Sequence, residues 1–295
     1  MKNNLIKGSL FIMLSGFFFA LMSVFVRFAG SLPALQKAFF RNGVALLVVS
    51  MYLWRTHTSI RCKKENVGLI LARSLFGTAG IISNYYAIDH INLGDANILN
   101  KLSTFVAVIC SAIFLKEKFR LFHLAVVFFA FVGCIFVVQP TMEFSRMLPA
   151  LVGVTSGITA GFALTCVREL GRREEKSLLI VFYFSVCSTL ITLPFFVLNY
   201  EPMRLSQFFL MVAAGICAGG GQLCLTTAYY HASAKDISAF DYSQILFSAL
   251  FGFLFFNQVP NKYSVIGYVL IIAMGLALFA YNKWWHHKDT VHKSE

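Results

Sequence analysis

A series of apolar runs, each close to the length that crosses a lipid bilayer, dominates this sequence. Residues 9–26, 44–54, 122–138, 178–198 and 265–281 are nearly free of charge, and about 20 apolar residues in a helix span the hydrocarbon core. Only 13% of the 295 residues are charged and the mean hydropathy is +0.72, which leaves too little polar surface for a soluble domain. The sequence therefore predicts an all-α integral membrane protein.

Polar breaks between the apolar runs predict ten transmembrane helices. We place them at 6–28, 33–54, 67–88, 93–115, 120–139, 148–168, 177–199, 206–231, 235–256 and 262–283. Five of the six prolines, Pro149 among them, are predicted at or just outside helix ends, where a missing backbone donor costs least. Pro194 alone is predicted inside a helix, where it should produce a kink.

The basic residues predict the orientation in the membrane. With the N-terminus inside, 17 Lys and Arg residues fall in cytoplasmic segments and 5 in outer segments, which fits the excess of positive charge found on cytoplasmic loops. We expect a multi-pass cell-membrane protein with both termini in the cytoplasm and a polar tail at 285–295. The same pattern accounts for the net charge of +12 without a basic face for nucleic acid.

An internal repeat is visible at a single offset of 141 residues. The matched pairs are Ser15-Gly16 with Ser156-Gly157, Val26-Arg27 with Val167-Arg168, Gly30 with Gly171, Ala87 with Ala228, and Asp95 with Asp236. Agreement on one gapless offset indicates duplication. We predict two five-helix repeats, 1–141 and 142–284, and an odd number of spans inverts the second against the first. Inverted repeats of this kind enclose a site near the midplane of the membrane.

Small residues spaced by four predict close helix contacts. Gly153, Gly157 and Gly161 form one such series, and Gly215 and Gly219 form another. These glycines are interpreted either as sites of static helix packing or as pivots for a moving bundle.

Charged and amide residues inside the predicted helices are the candidate site. A charge at a helix centre costs about 3 kcal/mol on insertion scales, so such residues should face the bundle interior or water. The candidate substrate-binding residues are Arg41, Arg73, Asn84, Asn97, Asn100, Lys101, Gln222, Asp241 and Gln244.

All of these candidates except Arg41 fall on polar stripes of four helices, and these stripes could line one cavity. Arg73, Gly77, Gly80 and Asn84 share one face of the third helix, and Ser238, Asp241, Gln244 and Ser248 share a face of the ninth. The alternative for each is a structural salt bridge or interhelical hydrogen bond. Three interior cations and one anion favour a zwitterionic cargo, with Arg73 on its anionic group. Asp241 is expected to meet an amine or to carry a coupling proton.

The sequence favours no cofactor, metal or enzymatic chemistry. Seven cysteines show no CxxC spacing and no neighbouring histidine cluster, and Gly219-Gly220-Gly221 follows no strand and precedes no Lys-Ser/Thr, unlike a phosphate-binding loop. A lone interior Asp241 supplies neither a carboxylate pair nor a nucleophile with its base. We therefore expect a protein that is not an enzyme.

Several short segments in order resemble the drug/metabolite transporter superfamily, in particular its EamA-type members with ten helices in two repeats. These segments are Lys37-Ala38-Phe39-Phe40-Arg41, Arg73-Ser74-Leu75-Phe76-Gly77, Tyr86-Ala87-Ile88 and Leu115-Lys116-Glu117-Lys118. The sequence departs from the family at Lys101-Leu102-Ser103-Thr104, where many relatives have a proline, and at Gln258, which is the repeat counterpart of Glu117.

The resemblance implies a secondary transporter that moves a small polar or zwitterionic metabolite, amino-acid- or nucleoside-derived, by alternating access. Efflux or exchange is the leading expectation, with a coupling proton or an exchanged solute as the driving partner. One alternative is an importer of a nucleotide-like metabolite such as S-adenosylmethionine, and another is a membrane receptor or scaffold that does not transport. The patterns specify neither a direction of transport nor an oligomeric state.

Overall fold

The computed structural model of the chain describes residues 2–30, 32–57, 60–114, 121–138, 144–231 and 240–291. Every regular element in these ranges is helical. The helices of the first half are α1 (Lys2–Phe28), α2 (Ala34–Arg55), α3 (Val67–His90), α4 (Leu93–Asn100), α5 (Ser103–Phe114) and α6 (Leu121–Val138), with a 3-10 turn at Lys64–Asn66 before α3. Those of the second half are α7 (Phe144–Arg172), α8 (Ser177–Leu198), α9 (Leu205–His231), α10 (Ser243–Phe256) and α11 (Lys262–Val291).

Five described helices are long and apolar enough to cross a membrane. They are Ile6–Phe28, Lys64–His90, Met147–Arg172, Leu178–Leu198 and Leu205–Leu225, and shorter apolar helices lie at Ala125–Val137, Ser243–Phe256 and Lys262–Ala277. Many large apolar side chains on these helices are exposed, such as Leu47, Leu190 and Val269. An apolar exterior of this extent suits lipid and not water.

The structure corrects three expectations about helix limits. The predicted helices at 93–115 and 235–256 are each interrupted, the first at Lys101-Leu102 and the second at Tyr242. Pro149 lies inside α7, because that helix already starts at Phe144, about one helical turn before the predicted start at residue 148. The predicted polar tail is helical as far as Val291, since α11 continues beyond its apolar part.

Helices of the first half pack mainly on helices of the second. The principal pairs are α1 with α9, α3 with α7, α2 with α8, and α6 with α11. A Cβ at Gly267 would lie 2.6 Å from the carbonyl oxygen of Gly133, so α6 and α11 meet backbone to backbone. Gly219 on α9 similarly accommodates Val48 of α2, since a Cβ there would lie 2.9 Å from Val48 Cγ1. The core is thus an interface between the two halves.

The predicted orientation leads to a labelling result. Thr58, between α2 and α3 in the sequence, lies outside the described residues, whereas Lys64 is exposed near the start of α3. Lys64→Cys and Val259→Cys, each on a cysteine-free background, should react with an impermeant maleimide from opposite sides of the membrane. Labelling of both from one side would contradict the inverted topology.

Candidate functional site

The interruption between α4 and α5 lies deep in the bundle. Lys101 and Leu102 form a turn, and Leu102 is fully buried. Polar side chains flank the turn: Asn97 Nδ2 donates to the carbonyl of Leu93 at 2.9 Å, and Ser103 begins α5. Asn and Ser compete with the helix for backbone groups, which favours a break in the helix at this point.

The second half is interrupted at the matching repeat position. Phe240 and Asp241 are helical, Tyr242 is a turn residue, and α10 begins at Ser243. Tyr242 stands 141 residues after Lys101, at the offset of the sequence repeat. Discontinuous helices at corresponding positions of two inverted halves are a feature of transporter binding sites, because they present helix ends and free backbone groups at membrane depth.

A buried ion pair joins the two interruptions. Lys101 Nζ lies 2.7 Å from Asp241 Oδ2, and the side chains are 9% and 28% exposed respectively. Each partner lies at the break of its own half, so the pair connects the two repeats at their equivalent points. The greater exposure of Asp241 makes it the more accessible of the two charges to water or cargo.

Repeat-related glycines pack against these interruptions from the opposite halves. A Cβ at Gly157 on α7 would lie 2.5 Å from the carbonyl oxygen of Leu99, and a Cβ at Gly16 on α1 would lie 3.0 Å from the backbone nitrogen of Gln244. Gly16 and Gly157 are the glycines of the Ser-Gly pairs that identified the repeat. Close backbone approach thus accounts for the glycine at both positions.

We expect Gly157→Ala to lower the apparent unfolding temperature of the purified protein by several degrees and to reduce transport, because the added Cβ displaces the backbone at the α4–α5 break. Gly171→Ala on the same helix is the matched control, since no atom lies within 4 Å of its Cβ position. Alanine is about 1 kcal/mol better than glycine in an open helix position, so the control should unfold no earlier than the parent. Equal unfolding temperatures for the two variants would contradict the close contact.

Asn97 forms a polar node beside the ion pair. Its side-chain oxygen accepts a hydrogen bond from Gln244 Nε2 at 3.3 Å and lies 3.5 Å from Ser23 Oγ. All three side chains are buried. The node therefore connects α1, α4 and α10 and brings two of the predicted site residues, Asn97 and Gln244, into contact.

The other amide candidates lie on α3, α4 and α9. Asn100 Nδ2 donates to Ser156 Oγ at 3.1 Å, and Asn84 Nδ2 lies 3.4 Å from the carbonyl of Ala96. Gln222 is half-buried on α9, next to Gly221, whose carbonyl accepts a hydrogen bond from Ser15 at 2.9 Å. Ser238, predicted on the same stripe as Asp241, lies outside the described residues.

Arg41 and Arg73 form a separate cationic group between α2, α3 and α8. The Cζ of Arg73 lies 4.1 Å from the ring centre of Phe184, a cation–π contact, and a Cβ at Gly77 would overlap the Arg73 guanidinium. Arg41 is 4% exposed and donates to Asn42 Oδ1 at 2.5 Å. The Nε atoms of both arginines are buried and unpaired, and neither guanidinium forms an ion pair with a carboxylate among the described residues.

Sequence reasoning missed several polar partners of these arginines. Asn42 Nδ2 donates to Ser188 Oγ at 2.6 Å, and Thr78 Oγ1 lies 2.8 Å from the same hydroxyl. Small hydroxyl residues give little signal in an apolar helix, although the adjacency of Asn42 to Arg41 could have drawn attention to it.

Two surface cavities lie away from the interior polar residues. One of about 410 Å³ is lined by Leu53, Trp54, His57 and Phe182 near the end of α2. The other, of about 570 Å³, is bounded by Arg27, Tyr86, Asp89 and His90 near the end of α3. Both lie at helix ends, so the buried charges and the helix breaks, and not these cavities, define the candidate site.

Interrupted, repeat-related helices with charges at the breaks are typical of membrane transporters. A sequence model described as the EamA-like transporter family matches residues 6–139 and again residues 147–281. The chain belongs to the EamA-like transporter family.

Relatives across this family are named as transporters. The chain is 32% identical over 274 residues to the pseudopaline exporter CntI of Pseudomonas aeruginosa, covering 92% of this chain and 95% of that protein. It is 26% identical to human solute carrier family 35 member G1 over 94% of this chain and 80% of that protein. It is 24% identical to a riboflavin transporter of Brucella anthropi, over 88% and 94%.

A solved crystal structure shares the fold, with a TM-score of 0.66 at 15% identity over 91% of this chain and 95% of that one. The predicted fold class is confirmed: the protein is an all-α, multi-pass membrane protein of ten transmembrane helices in two inverted five-helix repeats. Its family and its relatives are those of a transporter and not of an enzyme.

Proposed function

We propose that the protein is a secondary transporter that moves a small zwitterionic metabolite across the cytoplasmic membrane by alternating access. The single observation that carries this proposal is the Lys101–Asp241 ion pair, which joins helix breaks at the same position of two inverted repeats. A fixed scaffold has no need of two broken membrane helices, whereas a transporter uses them to place charge at the substrate site. The cargo is of the amino-acid- or nucleoside-derived class.

Two regions of unlike charge support a zwitterionic cargo. Arg41 and Arg73 provide buried guanidinium groups with free donors, and guanidinium binds carboxylate or phosphate through paired hydrogen bonds. Asp241 provides a partly exposed carboxylate whose partner, Lys101, a cargo amine would replace. The amide side chains of the candidate site add further hydrogen-bond donors and acceptors, and these are Asn84, Asn97, Asn100, Gln222 and Gln244.

Export or exchange fits the relatives better than import. The protein named as a pseudopaline exporter is 32% identical over nearly the full length of both chains. The riboflavin transporter shares 24%, so cargo differs within this fold. Both termini are placed in the cytoplasm on the distribution of basic residues.

The proposal is tested with purified protein in proteoliposomes and a panel of labelled amino acids, amino-acid conjugates, nucleosides and S-adenosylmethionine. Uptake, efflux and exchange are measured with and without an imposed proton gradient, against liposomes without protein. Saturable movement of one zwitterionic cargo is the expected result. Cargo binding without movement would favour a receptor, and preferred uptake of S-adenosylmethionine would favour the importer.

A further inference from the structure

One set of contacts ties the two halves together at the end where α3 begins. Asn66 Nδ2 donates to Glu175 Oε2 at 2.6 Å, and Tyr183 donates its hydroxyl to the carbonyl of Ile60 at 2.6 Å. Asn66 is 1% exposed and Glu175 is 8% exposed. We call these four residues the inner latch, because the proposed orientation places them at the cytoplasmic end.

A second set ties the halves at the end where α9 begins. Gln207 Nε2 donates to the carbonyl of Ala29 at 2.8 Å. Gln36 pairs with the backbone of Glu201 in both directions, donating to its carbonyl at 2.9 Å and accepting from its N–H at 3.0 Å. These four residues are the outer latch.

The two latches are related by the sequence repeat. Gln207 stands 141 residues after Asn66, and Glu201 stands 141 residues after Ile60. In the first half, the segment before α3 contacts the α7–α8 loop and α8. In the second half, the start of α9 and the segment before it contact the α1–α2 loop and α2. The α2 helix of 22 residues separates the two ends, a distance of about 33 Å at 1.5 Å per residue. Equivalent contacts therefore lie at opposite ends of the bundle.

We propose that Asn66 and Gln207 are positioning residues for transport, which hold the inner and outer access routes closed in turn. This inference rests on the proposed alternating access. The segment before α3 cannot leave the α7–α8 loop while Asn66 holds Glu175. The first turn of α9 cannot leave the α1–α2 loop while Gln207 holds Ala29. Both latches are made in this structure, so each opening must break one of them and leave the other.

Hydrogen exchange of the reconstituted protein tests the inference without any cargo. In Asn66→Ala, amide exchange should rise about tenfold in segments 60–66 and 173–176, as expected for loss of a hydrogen bond to a charged group. Exchange in segments 29–34 and 200–207 should fall, because a population that opens inward opens outward less often. Gln207→Ala should give the mirror result, with a rise of about threefold at the outer segments. In the double variant each end should exchange faster than it does in the single variant altered at the other end, because both openings then compete with a weakened closed state.

A matched pair of variants separates a latch from local damage. Glu175→Gln keeps a neutral acceptor for Asn66 and should raise exchange at the inner segments by less than Asn66→Ala does. Glu175→Ala should reproduce Asn66→Ala and serves in its place if that variant fails to fold. A rise in exchange confined to the altered end, or a rise at both ends, would overturn the proposal. Reciprocal exchange in a protein that moves no cargo would keep the latches and reject the proposed transport.

Discussion

Replacement of Arg73 by alanine is expected to nearly abolish saturable transport while leaving the protein inserted and folded. Arg73 lies against Phe184 with an unpaired buried Nε, and no described carboxylate pairs with it. A cargo carboxylate or phosphate would supply the missing charge, and losing two charge-assisted hydrogen bonds lowers affinity about a hundredfold or more. The measurement is the concentration dependence of cargo flux in proteoliposomes.

Graded variants show which property of Arg73 is needed. Arg73→Lys keeps the charge and loses the planar fork, so transport should weaken without vanishing. Arg73→Met keeps most of the length and should resemble alanine if charge is what matters. Arg172→Met is the control, because Arg172 is an exposed arginine in a surface ion pair on α7. Parental kinetics in the alanine variant would leave Arg73 only a structural role.

Helix positions were predictable because a membrane span is a local property of the sequence. The lipid environment requires each span to satisfy its own backbone hydrogen bonds, so length and apolar composition alone place α2, α3, α8 and α9 within two residues of the structure at both ends. The start of α7 was missed because residues 144–147 include polar side chains. Nothing in the local pattern distinguishes such an extension from a loop.

The interruptions at Lys101 and Tyr242 could not be read from an apolar run. A break in a membrane helix is stable only when other parts of the protein pair with the polar groups that the break exposes. Here the partner of Lys101 is Asp241, 140 residues away in the sequence. The repeat offset held part of this information. It aligned Ser15-Gly16 with Ser156-Gly157, and these are the positions at which each half contacts the break of the other.

The sequence predicted which residues belong to the candidate site but not how those residues are arranged. Asn97, Lys101, Asp241 and Gln244 do converge, because buried polar groups in a membrane seek one another. Arg41 and Arg73 form their own group on α2 and α3 with Ser188 and Phe184. Stripes on single helices cannot show which stripes face each other.

The ion pair sets up the most informative variant, Asp241→Asn. Asparagine keeps the shape and the hydrogen bond to Lys101 but removes the charge, and Lys101 is then left with no counter-charge at 9% exposure. Breaking a fully buried pair costs roughly 3–5 kcal/mol, and the 28% exposure of Asp241 should make the cost smaller here. We expect transport to fall at least tenfold, while the protein still folds.

The transport activities that Asp241→Asn loses identify the role of Asp241. If Asp241 carries the coupling proton, the asparagine variant should lose uphill accumulation and the dependence on a proton gradient but retain exchange of cargo for cargo. If Asp241 binds an amine of the cargo, exchange should fail as well. The double variant Lys101→Met/Asp241→Asn removes the unpaired charge, so it should recover folding stability in either case but recover transport only if the pair is purely structural. Full transport in that double variant, with parental affinity and proton dependence, would exclude both functional roles, because a neutral pair can neither bind an amine by charge nor release a proton.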